Sequence, residues 1–112
     1  MILHVGPLAE NPLDAAAQFH AEVLPRARAV LAEHKNLLLV FAPAGHDHRA
    51  WRLAAVQGLA RSHAPLRVNA LAAASDDAID AASRWLTESE SITGQYLPLD
   101  GNAAGRVLYR QQ

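Results

Sequence analysis

Gly45-His46-Asp47-His48 is the most suggestive polar cluster in this sequence. Two imidazoles and a carboxylate are the side-chain types that ligate a divalent metal or move protons near neutral pH. The cluster follows an apolar run, residues 37–41, so it falls where a buried strand ends and a helix begins. Three adjacent residues rarely converge on one ion, and a metal would need a further ligand from elsewhere, for which His4 is the candidate. The competing reading makes Asp47 a helix cap and the imidazoles surface groups. We carry that structural reading forward and assign no catalytic, cofactor-binding or metal residue. His4, His46, Asp47 and His48 are kept as the cleft candidates of an alternative role.

Other chemistry-bearing residues read more plainly. Asp76, Asp77 and Asp80 stand in the first turns of a helix, where acids complement the macrodipole. Trp51 and Trp85 fall in apolar helical patterns, which points to packing or an interface. His20, His34 and His63 occupy helical surfaces or ends, and Ser62 and Ser89 have no evident base to activate them. The absence of Cys removes disulfides, thiol catalysis and thiolate metal sites together.

The elements that must position these groups alternate. A first strand spans residues 2–5 and stops at Gly6-Pro7. Asn11 or Asp14 caps a helix reaching His34, with a kink or a division into two helices where Pro25 breaks the ladder. Residues 37–41, all apolar, read as a parallel strand buried on both faces. A second helix runs from Asp47 to near Pro65, a third strand covers residues 66–71, and Ser75 caps a third helix through Trp85-Leu86. Residues 95–99 are a fourth strand, Asp100-Gly101-Asn102 a turn, and Val107-Leu108-Tyr109 a segment that can pair or pack. Strand and helix in alternation argue for a parallel sheet, and right-handed crossovers lay the first two helices side by side on one face.

With 112 residues, 51% hydrophobic and 19% charged, the chain fits one globular domain, residues 1–112. Alanine dominates the apolar share and aromatics are only 5%, which predicts a small, close-packed interior. A formal net charge of -1, with arginines scattered, leaves no electrostatic footprint for nucleic acid. No apolar segment is long enough to span a membrane and residues 1–7 do not read as a signal peptide, so the expected location is cytoplasmic.

Arg67-Val68-Asn69-Ala70 resembles the sixth strand of classical short-chain dehydrogenases/reductases. Ser91-Ile92-Thr93-Gly94-Gln95, with Leu97, Leu99, Asp100 and Gly101, resembles that family's last strand, although Asn102 replaces the final glycine of the signature. Ile79, Ala82 and Trp85-Leu86 have the spacing of the intervening helix. More loosely, Leu3-His4-Val5-Gly6 lies where the family has its Asn-Asn-Ala-Gly strand, Val23-Leu24-Pro25 resembles the following helix, and residues 37–45 resemble the strand that delivers the catalytic serine.

The resemblance implies a truncated Rossmann-like α/β fold, a parallel sheet of about four strands with three crossover helices, equivalent to the family's C-terminal half. It also implies missing chemistry. The Gly-x-x-x-Gly-x-Gly turn that holds the pyrophosphate is absent from the sequence, and the substrate loop after the third strand is short. No Tyr-x-x-x-Lys can be written, because the only lysine is Lys35 and the only tyrosines are Tyr96 and Tyr109. Ala42, beside Pro43, stands where the family has its serine, and Gly45, Arg49 and Leu53 fall at the tyrosine and lysine positions in different alignments. Family-type hydride transfer is therefore not expected, nor any cofactor.

What the resemblance retains is assembly surface. In the family, the helices matching residues 14–34 and 47–64 pack against the same pair of a second subunit, and the last strand with its helix forms another contact. Three helices cannot cover both faces of a four-stranded sheet, and uncovered apolar surface is commonly an interface. The expected partners are a second copy of the chain or a full-length relative from the family, with no nucleic acid and no membrane. The alternative is a small ligand-binding protein or enzyme using the cleft near His46 and His48.

Overall fold

The structure, a computed structural model, describes residues 1–99. The turn expected at Asp100-Gly101-Asn102 and the segment Val107-Leu108-Tyr109 lie outside them. Four parallel strands, β1 (Ile2–His4), β2 (Leu37–Phe41), β3 (Val68–Ala72) and β4 (Tyr96–Pro98), lie in the order β1-β2-β3-β4. The register pairs Leu3 with Leu39, Leu39 with Ala70, and Ala70 with Tyr96. β2 and β3 are buried along their whole length, as expected of central parallel strands whose faces are both covered.

The first helical stretch is one continuous rod built from α1 (Pro12–Gln18), a π-helical turn (Phe19–Val23) and α2 (Leu24–Ala32). Asn11 caps it, its side chain accepting from the Asp14 amide at 3.1 Å, and Pro12 enters the first turn, where a missing N–H costs nothing. Pro25 falls in the first turn of α2, so the α-helical stretch divides into two helices there as expected, joined end to end through the π turn. The Leu24 amide reaches back five residues to the Phe19 carbonyl, widening the turn just before the proline ring that would crowd a regular helix. Asp47, expected as the cap of the second helix, does not cap it. It lies inside a 3-10 turn (His46–His48) that leads into α3 (Arg49–Ser62), whose N-cap position is held by His48 without a side-chain bond. α4 (Asp76–Glu88) begins at Ser75, whose hydroxyl accepts from the Ala78 amide.

Period-two alternation sorts the sheet's side chains into two cores. Leu37, Leu39, Phe41, Val68, Ala70 and Ala72 face the rod and α3, while Leu38, Val40 and Leu71 face α4 through Ile79 and Leu86. The strand order advances one way while α4 occupies the face opposite α2 and α3. The connection through α4 therefore has the opposite hand to the two before it, and the general rule makes those two right-handed. This departure from the common hand is what gives the second face its helical cover among the described residues. The first core is less uniform than its alanine-rich composition predicts: both phenylalanines, Trp51 and Tyr96 gather there, with ring centroids 5.6–6.0 Å apart in the Phe19–Phe41, Phe19–Trp51, Phe41–Trp51 and Phe41–Tyr96 pairs.

Candidate functional site

The C-terminal ends of β1 and β2 open on a cleft walled by two loops, residues 6–10 and 42–45. This is the end of a parallel sheet at which ligands generally bind. Of the four cleft candidates, none is among the residues that line it. His46 and Asp47 are exposed on the 3-10 turn. His4 is exposed too, but alternation with Leu3 and Val5, which pack toward the rod and α3, puts it on the α4 side of the sheet. Sheet and loop thus separate His4 from the His46 turn, and among the described residues no group of three metal-ligating side chains forms.

His48 is buried, and both of its ring nitrogens are engaged. Nε2 lies 2.8 Å from the Glu10 carbonyl, and Nδ1 lies 3.1 Å from the Trp51 indole nitrogen. A carbonyl only accepts and an indole N–H only donates, so Nε2 carries the proton and Nδ1 accepts. The ring pins the 6–10 loop to the start of α3 and has no free nitrogen for an ion or a reacting group.

The cleft's ionisable wall is formed instead by Arg52, with Glu10 on the 6–10 loop. Arg52 is 4% exposed, and its guanidinium carbon lies 4.4 Å from the centre of the Phe41 ring. Nη1 donates to the Ala42 carbonyl and to the Tyr96 hydroxyl, both at 3.0 Å. These bonds tie the exit of β2 to β4 through a helix that lies over them. The residue escaped the sequence reading although a signal was available: Arg52 stands four and seven residues before Val56 and Leu59, on the buried stripe of α3. A charge on such a stripe is buried unless the stripe shifts.

Residues that carry the dehydrogenase resemblance do structural work. The Asn69 amide donates to the Ile92 carbonyl at 3.0 Å, and its oxygen accepts from the Gln95 amide at 3.0 Å. Thr93 takes the Val68 amide on its hydroxyl, and Gly94, at a φ of 76°, returns its own amide to the Val68 carbonyl at 2.7 Å. Arg67 closes the end of α4 by donating to the carbonyls of Leu86 and Ser89. The two motifs are halves of one clamp that sets β4 beside β3. Lys35, the sole lysine, precedes β2 at the opposite end of the strands from the cleft and pairs with Glu33 at 3.0 Å.

A family model described as SDR-like, a short chain dehydrogenase-like protein, matches residues 3–99. No curated protein and no solved structure matches the chain.

Proposed function

Because the chain belongs to the short-chain dehydrogenase-like family, we propose that it is a member that acts by assembly and not by catalysis, forming a homodimer across the β1 side of its sheet. The observation that carries this reading is the bare half of the second face. α4 covers β3 and part of β2, but an open groove remains between α4 and β1, with Leu38, Ile2 and Leu86 along it. Met1 and Ile2 are 57% and 39% exposed there, and β1 pairs only with β2 among the described residues. A free strand edge beside exposed apolar side chains is a template for pairing with another chain. A second copy presents the same surface and so meets it by two-fold symmetry.

Support for the non-catalytic half comes from the cleft. Ala42 offers no hydroxyl, His48 is consumed in packing, and Lys35 lies at the wrong end of the strands. The test is the elution of the wild-type chain and of Ile2→Lys on gel filtration. A charge at this half-open position leaves the monomer's core intact, so the account expects a dimer that Ile2→Lys converts to monomer. Elution of both as monomers removes the proposal, and elution of both as dimers moves the interface off β1, with the outer face of α2 and α3 the next surface to test.

A further inference from the structure

Arg52 is a buried cation with no counter-charge among the described residues. Among the described residues the one ion pair joins Lys35 to Glu33, so no described carboxylate lies within pairing distance of the guanidinium. Its Nε is buried without a hydrogen-bond partner among the described residues, and both of the bonds Arg52 makes to them leave from Nη1. The Phe41, Trp51 and Tyr96 rings, 4.4, 5.8 and 6.0 Å from the guanidinium carbon, favour a cation but supply no negative charge. An arginine removed from water is ordinarily matched by an anion, and Arg52 forms part of the wall of the cleft at the strand ends.

We propose that this cleft binds a small organic oxyanion, with Arg52 as the group that recognises its charge. Nε is sealed from the cleft, so Nη2, which makes no bond to a described residue and is not sealed, is the N–H group left to meet an oxygen of a carboxylate or phosphate. Pro7, Leu8, Ala9, Pro43 and Ala44 add apolar side chains to a wall of mixed polarity, which suits a ligand with a short hydrocarbon body behind its charged head. Glu10 also stands in the wall and repels a ligand carrying several negative charges. The class that fits is a monocarboxylate with a short apolar chain. Inorganic phosphate shares the head-group chemistry and lacks the body. His48 is a positioning residue here, since its bond to the Glu10 carbonyl holds one wall of the cleft.

The site is tested by calorimetric titration of the full chain at constant ionic strength with acetate, butyrate, hexanoate and inorganic phosphate. The structure predicts saturable binding that tightens about tenfold from acetate to hexanoate, is weaker for phosphate, and is lost in Arg52→Met. Ala44→Glu, which places a carboxylate at an exposed position of the wall, abolishes binding while leaving the contacts of Arg52 untouched, and so decides the matter if Arg52→Met does not fold. Glu10→Gln tightens binding severalfold. No saturable heat for any of the four anions overturns the proposal, as does binding unchanged in both Arg52→Met and Ala44→Glu. Phosphate binding as tightly as hexanoate overturns the assignment of an apolar body.

Discussion

Two histidines two positions apart have opposite fates. His46 points to solvent, and its replacement by alanine is expected to change unfolding free energy by no more than about 0.5 kcal/mol. His48→Ala strands the Trp51 indole N–H and the Glu10 carbonyl, and is expected to cost about 1–3 kcal/mol. Urea unfolding of the two variants separates them, and equal effects would contradict the clamp. Asn69→Ala leaves the Ile92 carbonyl and the Gln95 amide without partners in the clamp, and a loss of about 2 kcal/mol or more in the same measurement is expected. The sequence placed the start of a helix near Asp47, but which imidazole turns inward depends on the 6–10 loop arriving from β1. That contact spans thirty-eight residues and leaves no local pattern. Arg52 is the reverse case, legible from the buried stripe of α3 on which it stands with Val56 and Leu59.

At the scale of elements, strands were legible wherever burial is two-sided. Residues 37–41 form β2 as read, because an unbroken apolar run has no other stable home in so short a chain. β3 is displaced to Val68–Ala72 from the expected 66–71, since Arg67 turns out to close the end of α4. Pro25 signalled an interruption correctly, but its form, a π turn accepted at Phe19, is set by a carbonyl six residues upstream and by the burial of Phe19 and Val23 on the same face. The hand of the α4 connection was equally unreadable, because it follows from which face lacked cover. Between α4 and β4 the chain depends on Gly94, whose positive φ disfavours any side chain although space for a methyl group exists beside Ala60. Gly94→Ala is therefore expected to cost about 1–2 kcal/mol through backbone strain, and thermal unfolding unchanged from wild type would show that the turn can relax.

For the whole molecule, the governing feature is an imbalance of cover. The rod and α3 seal one face of the sheet around a cluster of aromatic rings, whereas among the described residues α4 alone serves the other and leaves the groove beside β1 open. The sequence reading anticipated this from a count of helices against strands, and the family match over residues 3–99 agrees with the motifs that suggested the family. It did not locate the gap, since that depends on α4 lying over β3 and part of β2 and stopping short of β1. A partner that closes the groove would remove Met1 and Ile2 from water, and burying about 800 Å² on each copy is the scale of a stable interface. The most direct test is the mass of the purified chain in solution by light scattering, alone and with NAD or NADP. The account predicts twice the mass of a 12.0 kDa chain, unchanged by either nucleotide. A monomer, or a species whose mass shifts with nucleotide, would contradict it.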